Sequence, residues 1–142
     1  MKLPLVLSFS TILLFVSCKQ DDESIKTPCD HWTQANEYAF ENGPNDYLSI
    51  KDFSIEGDCM TINFGASGCD GKLWEYWLYD SESIEKTFPP QRKLRLAFTN
   101  PEICFSYHIE EASFDLSPLQ IEGENSIKFI LTNSEETILY NY

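Results

Sequence analysis

The chain has 142 residues, 42% of them apolar and 14% aromatic, with 23 acidic side chains against 10 basic ones and a formal charge of −13. Nucleic acid and anionic membrane surfaces are poor partners at that balance, because both are bound through clustered Lys and Arg. The length suits one domain with an ordinary core.

In chain order, Lys2 provides a positive start and Leu3 to Val16 form an apolar run, interrupted by the small hydroxyls of Ser8, Ser10 and Thr11. The run is shorter than the ~20 residues a membrane-spanning helix needs, and residues 1–17 read as a secretory signal peptide. It stops at Phe15-Val16-Ser17-Cys18, and Lys19-Gln20-Asp21-Asp22-Glu23 follow directly. This boundary resembles that of the bacterial lipoprotein family, with Phe15 where the family usually has Leu. The resemblance implies that Cys18 is acylated on sulfur, becomes the new amino terminus and receives a further acyl chain. Two or more acyl chains then hold the protein stably at a lipid bilayer. The acidic tract after Cys18 is similar to that of lipoproteins of Bacteroidetes-type bacteria, where it accompanies outward display on the outer membrane. A cell-envelope lipoprotein of the outer membrane is therefore expected, surface-exposed or periplasm-facing. Residues 18–27 read as a flexible tether, polar and with almost nothing to bury. Cleavage removes Lys2 and no acid, so 9 bases remain against 23 acids and the formal charge becomes −14.

Residues 28–142 form the expected domain. His31 to Glu41 could make a short helix, with Thr33 as its cap. From about Tyr47 onward the pattern has a period of two residues. Met60, Ile62 and Phe64 alternate with Thr61 and Asn63, and Leu94, Leu96 and Phe98 with Lys93, Arg95 and Ala97. Ile103, Phe105, Tyr107 and Ile109 alternate with Cys104, Ser106 and His108, and Ile127, Phe129 and Leu131 continue the pattern, as do Ile138, Tyr140 and Tyr142. Turn signals separate these runs at Gly57-Asp58, Gly68 to Gly71, Pro89-Pro90, Asn100-Pro101, Gly123 to Asn125 and Asn133-Ser134. Seven or eight half-buried strands at this spacing predict an all-β fold, an antiparallel β-sandwich of immunoglobulin-like type.

With Cys18 committed to lipid, Cys29, Cys59, Cys69 and Cys104 read as two disulfides with three possible pairings. If successive strands alternate in direction, Cys59 opens strand 59–66 and Cys69 lies beyond its far end. At ~3.3 Å per residue the two are more than ~20 Å apart, against the ~7 Å between Cα atoms that a bridge allows. Cys104 returns near the Cys69 end, so Cys69–Cys104 and Cys29–Cys59 are expected. The stretch from Gly57 to Tyr142, with "GDCMTINFGASGCDGKLWE", resembles uncharacterised small lipoproteins of the same bacteria, a resemblance that implies no activity and no catalytic residue.

The segment "KLWEYWLY" is the most suggestive for binding. On a strand, Trp74, Tyr76 and Leu78 share one face and Leu73, Glu75, Trp77 and Tyr79 the other. If one face is core, the other displays aromatics beside a carboxylate, which suits stacking on sugar rings, and Trp74, Trp77 and Tyr79 are the candidate ligand-binding residues. Gly68 and Gly71 allow positive φ in a tight turn around Cys69 and Asp70. Cys104, Ser106 and His108 point the same way, but alternate strand residues lie ~6.5–7 Å apart, too far for a nucleophile and its base. No hydrolase, metalloprotease, phosphate-loop or dinucleotide motif occurs. No catalytic residue, metal ligand or cofactor is therefore assigned, and an enzyme is not expected. What is expected is a non-catalytic binding or structural role in the envelope. The partners that fit are a bilayer at acylated Cys18 and a glycan or a basic protein, the latter making the chain an inhibitor of a basic hydrolase such as lysozyme.

Overall fold

The computed structural model of this protein describes residues 29–142. The expected signal peptide (1–17), the lipidation site Cys18 and the tether (18–27) lie outside the described residues. The first strands are short, β1 (His31–Trp32) and β2 (Gln34–Ala35), and the helix α1 (Glu37–Asn42) follows them. The main strands are β3 (Ser49–Glu56), β4 (Cys59–Gly68), β5 (Glu75–Glu85), β6 (Gln91–Thr99), β7 (Ser106–Asp115), β8 (Ser126–Leu131) and β9 (Glu136–Asn141). They form two sheets, one in the order β1-β7-β4-β3 and one in the order β2-β5-β6-β8-β9. The all-β sandwich predicted from the alternating pattern is the fold observed, with nine strands among the described residues. The long pairs β3–β4, β4–β7, β5–β6 and β8–β9 are antiparallel, whereas β6–β8 and the two-residue pairs β1–β7 and β2–β5 are parallel.

The core lies between the sheets. Met60, Ile62, Phe64 and Ala66 of β4 face Leu94, Leu96 and Phe98 of β6 and Ile127, Phe129 and Leu131 of β8, all buried. These are the inward sets that the period-two reading picks out.

On β7 the reading chooses the wrong face. Ile103 and Phe105 precede the strand and are almost fully exposed, and Tyr107 and Ile109 point to solvent. Instead Ala112 and Phe114 are buried, with His108 and Glu110 half-buried on the same side. The cause is register. Ala66 pairs with His108, Phe64 with Glu110, Ile62 with Ala112 and Met60 with Phe114. Directly paired residues share a face, so the inward set of β4 dictates that of β7, and a one-residue offset inverts the whole strand.

The helix is also shorter and later than predicted. Thr33 does not cap it: Asn36 does, its Oδ1 accepting from the Ala39 N–H at 2.9 Å. Asn is among the best caps, while Trp32 and Thr33 belong to residue types that favour strands. Arg95 on β6 closes the other end, donating to the Ala39 and Pro44 carbonyls at 2.8 and 2.9 Å and to that of Phe40. The bond to Phe40 satisfies a carbonyl that the helix terminus leaves open, and the Ala39 carbonyl also accepts from the Gly43 N–H at 2.9 Å.

Both disulfides form as Cys29–Cys59 and Cys69–Cys104, with Cα separations of 5.6 and 4.8 Å. The strands are not a simple meander, because the chain changes sheet between β4 and β5 and again between β6 and β7. The pairing survives because Gly68 and Ser106 end the β4–β7 ladder, which leaves Cys69 and Cys104 at the same end.

Candidate functional site

The N-terminal segment is a strap across one open edge of the sandwich. Beside Cys29, the Asp30 N–H donates to Ser113 Oγ at 2.9 Å and that hydroxyl donates back to Asp30 Oδ2 at 2.6 Å. His31 and Trp32 then run parallel to Phe114 and Asp115 of β7. Thr33 makes the crossing: its N–H donates to the Asp115 carbonyl and its side chain is buried. Gln34 and Ala35 continue on the other sheet, opposite Tyr79 and Asp80 of β5.

Between the strap and the start of β5 lies a cleft of about 480 Å³. Its strap side carries Asp30, His31, Trp32 and Gln34, and its floor and far side carry Trp74, Glu75, Tyr76, Trp77 and Phe114. His31 holds the two sides together, with ring centroids 5.2 Å from Tyr76 and 5.3 Å from Phe114. Trp32 is 55% exposed, so a large ring is held at the mouth without being consumed by the core. No Lys or Arg side chain lines the cleft.

Two titratable groups of the site are shifted. The hydrogen bond from the Ser113 hydroxyl holds the Asp30 carboxyl below its ordinary value. Burial, then the Glu110 carboxylate 3.4 Å from the Tyr76 hydroxyl, pushes Tyr76 up. Asp30 is thus a carboxylate at neutral pH and Tyr76 a neutral phenol. Such a site can stack on a flat or aliphatic group and hydrogen-bond to its donors. Among the described residues no group of three His, Cys, Asp or Glu side chains is placed to hold a metal ion.

The structure divides the three predicted aromatics. Trp77 is half-buried and lines the cleft, and so does Trp74, although only 7% of its surface is exposed. Trp74 is chiefly core, edge-on to Phe98 at 5.3 Å. Tyr79 does not line the cleft; it is half-buried where β5 pairs with Gln34 on one side and Arg95 on the other. Sequence reading missed Asp30, His31 and Trp32, because it placed His31 and Trp32 in a helix. Their partners lie about 80 residues away in the chain, and only the alternation-friendly types Trp and Thr hinted at a strand.

A second arrangement occupies the end of the sandwich at Cys69–Cys104. Glu102 lays its carboxylate into the loop that follows β4. Its Oε2 accepts from the N–H groups of Cys69, Asp70 and Gly71 at 2.6, 3.2 and 3.1 Å, and its Oε1 from that of Leu73 at 3.3 Å. Partial desolvation works against the charge, but the four amide bonds outweigh it and hold the carboxyl below its ordinary value. Gly71 has a φ of +73°, as a tight turn requires. Gly68 serves differently: a Cβ there would collide with the Glu102 carboxylate and the Trp74 indole. Cys104 is bridged in this region and His108 faces the Trp74 ring at 6.4 Å, so the Cys104, Ser106 and His108 side chains form no catalytic set.

No protein-family model matches the chain. No curated protein matches it in sequence either. Solved structures do. A protein of unknown function, DUF1344, from Bacteroides vulgatus ATCC 8482 aligns over 79% of this chain with 19% identity and a TM-score of 0.54. A NigD-like immunity protein from Bacteroides caccae ATCC 43185 aligns over 78% with 10% identity and a TM-score of 0.57. A putative toxin-related protein from Parabacteroides distasonis ATCC 8503 aligns over 79% with 14% identity and a TM-score of 0.50. The aligned part spans only 56%, 58% and 61% of those three chains. At these identities the likeness concerns the fold, a small β-protein architecture shared with proteins of Bacteroides and Parabacteroides.

Proposed function

We propose that this chain is a membrane-anchored lipoprotein of the cell envelope with a non-catalytic binding role, and that the cleft under the strap holds its ligand. The observation that carries the binding role is the gathering of His31, Trp32, Tyr76 and Trp77 around one open space with carboxylates at its rim. Aromatic rings left partly exposed in a concave site are characteristic of recognition surfaces. A glycan suits such walls through stacking, and a basic protein segment suits them through stacking and charge. One fold neighbour is described as an immunity protein, a role other than catalysis. Anchoring rests on the Phe15-Val16-Ser17-Cys18 boundary.

Anchoring and binding are tested separately. Cells expressing the wild-type chain should incorporate labelled palmitate into it, and Cys18→Ser should abolish the label. Protease added to intact cells reports the face: loss of the domain means outward display, and protection until the outer membrane is broken means a periplasmic orientation. For binding, tryptophan emission of the full chain in neutral detergent is titrated with envelope glycans and with a basic hydrolase such as lysozyme. The response should disappear in a Trp32→Ala, Trp77→Ala double variant; a response that persists there places the ligand elsewhere.

A further inference from the structure

The walls of the cleft do not by themselves choose between a neutral and a charged ligand, but its electrostatics do. Asp30 and Glu75 stand at the lining, Glu110 lies behind Tyr76, and His31 is the one basic side chain beside them, with no Lys or Arg in the lining. The Ser113 hydroxyl that holds Asp30 is also hydrogen-bonded to the Asp30 backbone, so this carboxylate is fixed in place rather than swinging free. Rings of Trp and Tyr attract a cation placed over their faces, and they cover the methylene stem of a long basic side chain equally well. A neutral sugar uses the rings and leaves the carboxylates with no charge to meet.

The occupant must also reach the site. β1 and β2 are the outermost strands of their sheets and only two residues long each, so the cleft opens at the edge of the sandwich, where an extended segment of another chain can approach. The chain as a whole carries a formal charge of −13. A field of that sign does nothing for a neutral ligand and accelerates the encounter with a basic macromolecule.

We infer that the cleft takes a lysine or arginine side chain of a basic protein partner, with Trp32 and Trp77 clasping its stem and Asp30 and Glu75 pairing its charged head. This inference rests on the cleft being the ligand site. It makes the partner a protein, and it makes Trp32 and the two acids, rather than Trp74 or Tyr79, the residues that decide affinity.

The test uses the full chain in neutral detergent with three probes: a Lys- and Arg-rich peptide, the same peptide with its lysines acetylated and its arginines replaced by citrulline, and a neutral hexose oligosaccharide. The basic peptide should bind, the neutralised peptide should not, and Glu75→Gln and Asp30→Asn should each weaken binding by about tenfold. Affinity should fall as salt is raised, since exposed charge pairs are screened. Glu75 is exposed and Asn keeps the acceptor for Ser113, so both variants are expected to fold, and the far-ultraviolet spectrum checks that they do. If the neutralised peptide or the oligosaccharide binds as well, and the acid variants are silent while Trp32→Ala and Trp77→Ala remove binding, the cleft stands and the cationic ligand is overturned. If a probe binds with no effect of any of the four substitutions, the cleft itself is not the site. No binding of any probe overturns this inference.

Discussion

Single residues carry unequal weight here, and Asp80 carries the most. It is fully buried on β5, and its two carboxylate oxygens accept from Arg92 Nε and Nη2 at 3.0 and 2.7 Å. Arg92, itself 9% exposed, gives its remaining nitrogen Nη1 to the Leu119 carbonyl at 3.0 Å, and the Glu82 N–H donates to Asp80 as well. A buried pair with every oxygen and nitrogen engaged is tolerable, whereas half of one is not. Replacing Asp80 by Ala strands the guanidinium, and we expect a loss of about 3–5 kcal/mol in denaturant unfolding. An Asp80→Leu, Arg92→Met double variant should be much less damaging, since it buries no charge. Equal losses in the single and double variants would mean that packing volume, not charge, governs this position. The pair could not be read from the sequence: it spans a β-bulge between Asp80 and Ile84, where the chain turns at Glu82 with φ +58°. Tyr140 is a similar case: burial, then the hydrogen bond its hydroxyl donates to Asp58 in a distant turn, raises its pKa.

At the level of elements, the loop after β4 and the strand β7 show how local signals succeed and fail. The glycines of residues 68–71 mark a turn correctly, but nothing near them in sequence announces that Glu102 will supply its acceptor. Because the Glu102 carboxyl is held below its ordinary value, its contribution to the folded loop is fully present above the ordinary carboxyl range and is lost as pH falls through the lowered value. Charged acceptors make the stronger hydrogen bonds, so protonation weakens all four at once. Amide exchange of Cys69, Asp70 and Gly71, corrected for intrinsic rates, should therefore accelerate as pH falls below the ordinary carboxyl range, and Glu102→Gln should remove that dependence while raising exchange at neutral pH. A wild-type profile as flat as that of the Gln variant would show that the disulfide alone orders the loop. On β7 the apolar alternation from Ile103 to Ile109 is real, yet those side chains face outward or precede the strand. Alternation says that two faces differ; it does not say which one meets the core when a longer inward set, here that of β4, imposes its register.

For the molecule as a whole, the two disulfides pin opposite ends. Cys29–Cys59 ties the strap to the start of β4, and Cys69–Cys104 closes a span of 35 residues that contains β5 and β6. Loop-closure entropy for such a span predicts that a Cys69→Ala, Cys104→Ala variant loses roughly 3–4 kcal/mol, readable as a lower denaturation midpoint with a steeper slope, because the unbridged unfolded chain exposes more surface. A loss below about 1 kcal/mol would mean that the unfolded chain retains contacts between these ends. By itself the sequence determined the strand-rich class and the inward sets of β4, β6 and β8, which depend on periodicity that neighbouring residues encode. The bridges Cys69–Cys104 and Cys29–Cys59 are expected from a simple alternation of strands that the fold does not keep, and the β4–β7 ladder is what brings Cys69 and Cys104 to one end. Only the tertiary structure decided which face of β7 is buried, that the strap is strand rather than helix, that His31 packs against Tyr76, and that Trp32 and Trp77 line one cleft. Each of those outcomes depends on pairing between segments dozens of residues apart, where the free energy of the ladder and of shared burial outweighs local preference.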